Sequence, residues 1–287
     1  MRDFLIKRFI KDYNNIHDFK VREAYGLLGG AIGIIANIFL CTSKISIGLI
    51  SSSISILADG INNLSDAGSS FITLFGFRLG SAAPDSDHPY GHGRIEYISG
   101  LAVSVMIIVM GFEVLKTSFE KVLHPEQMEV SLLTVLILLA SIAVKVYMSV
   151  YNGAYGKKLD SSAMKATATD SLSDCIATFV VLLSMIIYYF WHVNLDGWSG
   201  FVVAGFILFA GINSAKDTLN PLLGEAPDEE FVREIEKTVM AHSEVVGVHD
   251  MVVHDYGPGR LMISLHAEVP GNMNIYVLHD VIDLIEF

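Results

Sequence analysis

The chain has 287 residues, 52% of them apolar and 17% charged, with a formal net charge of −12. This apolar content argues against an ordinary soluble domain and indicates several membrane-spanning helices. No basic patch of the kind that binds nucleic acids is present, so no nucleic-acid partner is expected. The two cysteines, Cys41 and Cys175, offer neither a zinc-finger spacing nor a disulfide framework. The charged N-terminus does not predict a signal peptide.

Residues 1–24 alternate basic and apolar positions, as in "FLIKRFIKDY". This pattern predicts a cytosolic N-terminal arm, either an amphipathic helix on the inner membrane surface or a plain tail. Residues 25–220 form the predicted transport domain. Six segments in it are long enough to span a bilayer. They are residues 25–43, 47–79, 95–115, 132–150, 163–191 and 198–219, with a short link around Lys44 between the first two.

Lysine and arginine are concentrated in the arm and in the loops after the second and fourth spans. The positive-inside rule therefore predicts a multi-pass protein of the cell membrane, surrounded by lipid, with both termini in the cytoplasm. In the first span, Gly26 and Gly30, and likewise Gly29 and Gly33, lie four residues apart. That spacing favours close packing of helices.

Residues 221–287 form a predicted cytosolic domain with 13 acidic and 3 basic residues. A helix, two strands joined by "GPGR" and a second helix are predicted in order. The fold class is therefore an α-helical membrane protein with six transmembrane helices and a small C-terminal α+β domain of ferredoxin-like type. The sequence stops before a final strand, so we expect the native chain to continue beyond residue 287.

The second and fifth predicted spans each carry a pair of polar residues four positions apart. The pairs are Asn62 with Asp66 and Asp170 with Asp174. Residues four apart share a helix face, so two such faces placed together can enclose a cation. Buried carboxylates need compensation, which a divalent ion or protons can supply. The alternative is that these carboxylates are structural, paired with Lys145 or with buried serine and threonine hydroxyls.

Three motifs follow one another across the six spans: "ADGINNLSDAGSS", "DHPYGHGRIEYISG" and "SSAMKATATDSLSD". In this order, with an acidic tail, they resemble the cation diffusion facilitator family of metal transporters. The resemblance implies a homodimer without enzymatic activity or cofactor, and a transport site formed by Asn62, Asp66, Asp170 and Asp174. Zinc transporters of the family usually place histidine at the first position of one or both pairs. This set of one Asn and three Asp resembles the manganese branch.

The resemblance also implies two further metal sites. Asp85, His88 and His92 match a family site in the cytoplasmic loop, although the loop is alternatively a hinge whose histidines bond backbone. The matching positions in the tail, which bind metal between two subunits, are His249, His266 and His279. The alternation of "LMISLHAEV" places His266 on the polar face of a strand. The alternative is that the tail histidines are ordinary surface residues.

The leading hypothesis is a Mn²⁺ exporter that works by alternating access and takes protons as counter-ion. An all-oxygen site favours manganese over zinc, because imidazole is the ligand that zinc, copper and nickel prefer. A zinc, iron(II) or cadmium exporter of the same family is the nearest alternative. An intramembrane aspartyl protease would need one catalytic Asp on each of two helices. A metal receptor that does not transport would need the tail sites without the buried ones.

Overall fold

The structure is a computed structural model that describes residues 2–16, 18–51, 54–124, 131–193 and 195–286. Nine helices and two strands lie within these ranges. They are α1 (Arg2–Phe9), α2 (Phe19–Ser51), α3 (Ile54–Gly80), α4 (Arg94–Leu123), α5 (Leu132–Lys158), α6 (Ser162–Trp191), α7 (Asp196–Leu223), α8 (Glu229–Val239), β1 (Gly247–Asp255), β2 (Leu261–Glu268) and α9 (Ile275–Glu286).

The six helices from α2 to α7 have 27 to 33 residues each, enough to cross a bilayer. By length and hydropathy, five of them are candidate membrane spans among the described residues. The sixth, α3, has the length but carries Asn62, Asn63 and Asp66. Large apolar side chains such as Phe112 and Leu136 are exposed on the outside of the bundle. In a membrane these side chains would contact lipid.

The helices pack mainly in pairs, α2 against α3, α4 against α7 and α5 against α6. Glycines allow the first pair to approach closely. A Cβ atom on Gly30 would lie 2.6 Å from Leu74 Cβ, and one on Gly33 would lie 2.4 Å from Ser70 Oγ. The prediction that these glycines serve helix packing is confirmed. The predicted link around Lys44 is wrong, because α2 continues to Ser51 and Lys44 is a buried residue within it.

The N-terminal arm packs against the helical bundle. Ile6 and Ile10 join a buried cluster with Tyr25, Tyr155 and Met164, which lie on α2, α5 and α6. The partly buried Arg22 forms an ion pair with the buried Glu96 at 3.0 Å and also donates to the carbonyl of Leu159. α2 already begins at Phe19, so the helix crosses the predicted boundary between residues 24 and 25. These contacts draw the arm and the α5–α6 turn together at one end of the bundle.

The C-terminal domain contributes an antiparallel pair, β1 and β2, flanked in sequence by α8 and α9. The register pairs His249 with His266, and an irregularity follows between His249 and Val252. The hairpin turn contacts the start of α4: Tyr97 donates to Asp255 Oδ2 at 2.7 Å. Thus the α+β domain lies at the same end of the bundle as the N-terminal arm. The described elements agree with the predicted fold class.

A candidate metal centre in the membrane and two histidine clusters

Three of the predicted ligands meet inside the helical bundle. Asp66 on α3 and Asp170 and Asp174 on α6 are all buried, and each offers a carboxylate oxygen within 4.8 Å of the other two. Asp66 lies 14 residues before the end of α3, and Asp170 lies eight residues after the start of α6. At 1.5 Å per residue these positions are about 12 to 21 Å from the helix ends. The carboxylates are therefore deep within a layer about 30 Å thick.

A lysine from a third helix lies between two of these carboxylates. The Nζ atom of Lys145, at the middle of α5, is 2.6 Å from Asp66 Oδ2 and 2.5 Å from Asp174 Oδ2. The third carboxylate is held differently, since Ser69 donates to Asp170 Oδ2 at 2.7 Å. Both partners named by the structural alternative, Lys145 and a buried hydroxyl, are thus present in the same cluster. The carboxylates have partners and also form a possible cation site.

Asn62 is not brought into this group of three carboxylates. Its side chain is exposed on α3, one turn before Asp66. The neighbouring Asn63 is buried instead and accepts a hydrogen bond of 2.9 Å from Lys44 Nζ. The four-residue spacing puts Asn62 on the same side of the helix as Asp66 but does not by itself make both side chains converge. Asn62 as a metal ligand stays a prediction.

Polar side chains continue from the carboxylates along the α3–α6 interface. Thr73 follows Asp66 by about two turns on α3, and Thr167 precedes Asp170 by about one turn on α6. Their Oγ1 atoms are 2.6 Å apart, and both residues lie nearer the end of the bundle that carries the N-terminal arm. Both threonines are buried. Beyond them comes the cluster of Phe77, Met164 and the arm residues. At this end the carboxylates are therefore covered first by hydroxyl groups and then by apolar side chains.

The loop between α3 and α4 brings its three predicted ligands together. Asp85 Oδ1 lies 3.5 Å from His88 Nδ1, and Asp85 Oδ2 lies 3.4 Å from His92 Nε2. Asp85 also accepts hydrogen bonds from the backbone N–H groups of His88 and Asp87. These bonds, the first above all, lower the pKa of the Asp85 carboxyl below its ordinary value. The loop has the geometry of a small cation site at the surface.

The tail brings together two of its three predicted ligands. The rings of His249 and His266 are 5.2 Å apart across the β1–β2 ladder, and both are exposed. Asp250 Oδ2 lies 3.1 Å from His249 Nδ1 and 3.4 Å from His266 Nδ1. His279 lies on α9, where its Nδ1 is 3.5 Å from Asp283 Oδ1. It is therefore not part of the His249–His266 cluster.

Two residues that contact the candidate ligands, Asp250 and Ser69, were not predicted from the sequence. Asp250 follows His249 directly, and strand alternation would point it to the other face. At the irregularity in β1, however, Asp250 has a φ of 50°, which turns its carboxylate back towards the histidines. The pattern gave no signal of this irregularity. The other residue is Ser69, which would share the face of Asp66 at a spacing of three residues.

Comparison with known proteins agrees with this architecture. The cation efflux transmembrane domain matches residues 31–223, and the cytoplasmic domain of cation efflux proteins matches residues 227–286. The chain therefore belongs to the cation efflux family, whose members transport metal ions and are not enzymes. The protease hypothesis is thereby excluded.

Several relatives align along most of their length. An uncharacterised transporter of Methanocaldococcus jannaschii is 35% identical, over 87% of this chain and 88% of that protein. The manganese efflux system protein MneS of Bacillus subtilis is 28% identical, over 91% of this chain and 89% of its own. The cation-efflux pump FieF of Klebsiella pneumoniae is 24% identical, over 93% and 89%. The protein is thus a multi-pass membrane transporter of metal cations.

Proposed function

We propose that this transporter exports Mn²⁺ from the cytoplasm by alternating access, with protons as counter-ion. The observation that carries the proposal is the buried group of Asp66, Asp170 and Asp174, with ligand oxygens within 4.8 Å of one another. Carboxylate oxygens suit manganese, whereas zinc, copper and nickel prefer sites that contain imidazole. The described part of the chain places no histidine or cysteine within this group.

The comparisons support manganese as the substrate but do not decide between manganese and other metals. MneS is named as a manganese efflux protein, while FieF is named only as a cation-efflux pump. Zinc, iron(II) and cadmium therefore remain alternative substrates. Asn62 is proposed as a fourth ligand that joins the carboxylates only when metal binds, because its side chain is exposed in this conformation.

Protons are the proposed counter-ion because carboxylates must be deprotonated to bind metal. Metal and protons then compete for the same oxygens, and an inward proton gradient can drive metal outward. The arm, the α3–α4 loop and the C-terminal domain share one end of the bundle. We assign this end to the cytoplasm, so both termini lie there. The match to the cytoplasmic domain of the family supports the same orientation.

We further propose that the protein works as a homodimer whose C-terminal domain responds to metal. Acidic residues are concentrated in this domain, and bound cations would relieve repulsion between two copies. His249, Asp250 and His266 form one candidate metal site there, and His279 is a separate candidate ligand. Asp85, His88 and His92 form the other candidate site, in the loop.

The test is transport by the purified protein in sealed proteoliposomes that contain a pH-sensitive dye. Mn²⁺, Zn²⁺, Fe²⁺ and Cd²⁺ are offered separately and in competition, with empty vesicles as the control for leak. We expect Mn²⁺ to move fastest and protons to move in the opposite direction. Metal binding without transport would favour the receptor hypothesis. A faster flux of another metal would identify that metal, and not manganese, as the substrate. Metal flux without proton counter-flow would contradict the exchange.

A further inference from the structure

Lys145 is a buried cation in direct contact with two of the carboxylates. Only 3% of the residue is exposed, and its ammonium group bridges Asp66 on α3 to Asp174 on α6. An ammonium group buried at this depth is stable only when ionic or hydrogen-bonding partners replace its lost hydration. The two contacts, at 2.6 and 2.5 Å, supply such partners.

The same carboxylates would have to bind a transported metal ion. Divalent ions lie about 2.0 to 2.6 Å from their oxygen ligands. An ion at that distance from the Asp66 and Asp174 carboxylates would occupy the space next to Lys145 Nζ. A divalent charge and an ammonium group at such short range repel each other strongly in a poorly hydrated interior. The two cations are therefore alternatives for one position.

We propose that Lys145 is a tethered counter-ion that takes the place of the metal in the empty transporter and withdraws when metal binds. This inference rests on the proposed role of the three carboxylates as the transport site. The lysine then sets the affinity of the site, because incoming metal must displace it. It also accelerates release, because it returns to the carboxylates as the metal leaves. Monovalent ions would compete poorly with an ammonium group held at high effective concentration.

The helix that carries Lys145 also offers it an alternative partner. Ser141 lies one turn earlier on the same face of α5, the direction in which helical side chains lean. Its Oγ atom is buried and has no hydrogen-bond partner within the described ranges. The flexible four-carbon chain of lysine allows such a change of partner. Ser141 is therefore the proposed acceptor for the displaced ammonium group.

The experiment compares Lys145→Met and Lys145→Arg with the wild-type protein, by Mn²⁺ titration and by proteoliposome flux. Methionine removes the competing charge, so the Kd should fall at least about tenfold, equivalent to about 1.4 kcal/mol. The KM should fall with it, and the maximal flux should fall because release is slower. Arginine can hold both carboxylates through its planar fork, so Kd and KM should rise about threefold.

A purely structural lysine predicts a different pattern. Lys145→Met would then lower thermal stability and flux without tightening Mn²⁺ binding, which would overturn the proposal. If Lys145→Met does not fold, Lys145→Arg becomes the test of the proposal. A Kd and a KM of Lys145→Arg that equal the wild-type values would overturn the proposal. Failure of both variants to fold would assign Lys145 a bracing role and also overturn it.

Asp170→Ala is the matched control for binding at the central site, because Asp170 has no hydrogen bond to Lys145. The Mn²⁺ binding that is lost in Asp170→Ala is the part that belongs to the central site. The lysine variants are compared with the wild-type protein on that part alone. If the wild-type protein shows no such binding, the proposed function fails. If the binding is present but Lys145→Met does not tighten it, only the inference about Lys145 fails.

Ser141→Ala tests the withdrawal route. It should raise the Kd for Mn²⁺ about threefold in the wild-type background and leave it unchanged in Lys145→Met. An equal effect in both backgrounds would overturn Ser141 as the acceptor.

Discussion

The carboxylates in the membrane and the histidine clusters at the end of the bundle offer candidate metal ligands in opposite surroundings. Asp66, Asp170 and Asp174 are buried and paired with Lys145 or Ser69. In the tail, His249, Asp250 and His266 are all exposed. Buried charges need ionic or hydrogen-bonding partners at every stage of a transport cycle, whereas exposed groups are solvated by water and screened by salt. The comparison suggests transport in the membrane and sensing at the surface.

The largest expected effect comes from Asp170→Ala. Removing groups that merely orient a metal ligand typically costs 10–100-fold in affinity or activity, so loss of a ligand should lower Mn²⁺ flux by at least about 100-fold. The Lys145 bridge between α3 and α6 does not involve Asp170, so the protein should still fold. Asp217→Asn, at an exposed position on α7, is the control. Near-normal flux in Asp170→Ala would remove the central site from the mechanism.

The next effect concerns metal preference. Asn62→His should raise the ratio of Zn²⁺ to Mn²⁺ flux about tenfold, because imidazole favours zinc. Ser65→His places a histidine at another exposed position of α3 and should leave the ratio unchanged. The measurement is competitive uptake of the two metals into proteoliposomes. An unaltered ratio in Asn62→His would place Asn62 outside the coordination sphere.

A smaller effect is expected from the tail. The double variant His249→Ala and His266→Ala should abolish the metal dependence of dimerisation and reduce flux about fivefold, at the lower end of allosteric coupling. Its preference among metals should not change, because the proposed selective ligands lie in the membrane. His254→Ala, also on β1, is the control. Analytical ultracentrifugation with and without Mn²⁺ measures the metal dependence of dimerisation. A changed metal preference in the double variant would contradict the proposed division between a selective site in the membrane and a sensing site in the tail.

The smallest effect is expected in the loop. His92→Gln should lower Mn²⁺ flux about twofold, because ion pairs at the surface, such as that of the partly buried His92 with the exposed Asp85, contribute little. Asp87→Asn, in the same turn but without a side-chain contact to the cluster, is the control. Flux assays at several Mn²⁺ concentrations measure the change. A loss comparable to that of Asp170→Ala would show that the loop is part of the transport route.

Several features of the fold could be predicted from the sequence because they depend on local patterns. Long apolar segments predict spanning helices, since a helix satisfies its own backbone hydrogen bonds in lipid. The spacing of Asp170 and Asp174 predicts one shared face on α6, and alternation predicts the exposed position of His266. The family resemblance, carried by three short motifs, is confirmed by matches across both domains. Each of these predictions needed only neighbours in the chain.

Contacts between distant segments were decided by the tertiary structure. The sequence named Lys145 as an alternative partner, but only the packing of α3, α5 and α6 places its ammonium group between Asp66 and Asp174. Lys44 lies inside α2, where its buried ammonium group donates a hydrogen bond to Asn63 on α3. This contact between two helices stabilises a charged residue within a span. The irregular backbone at Asp250 likewise turns a residue against its strand pattern. Such outcomes depend on which helices and strands become neighbours, and periodicity within one segment does not contain that information.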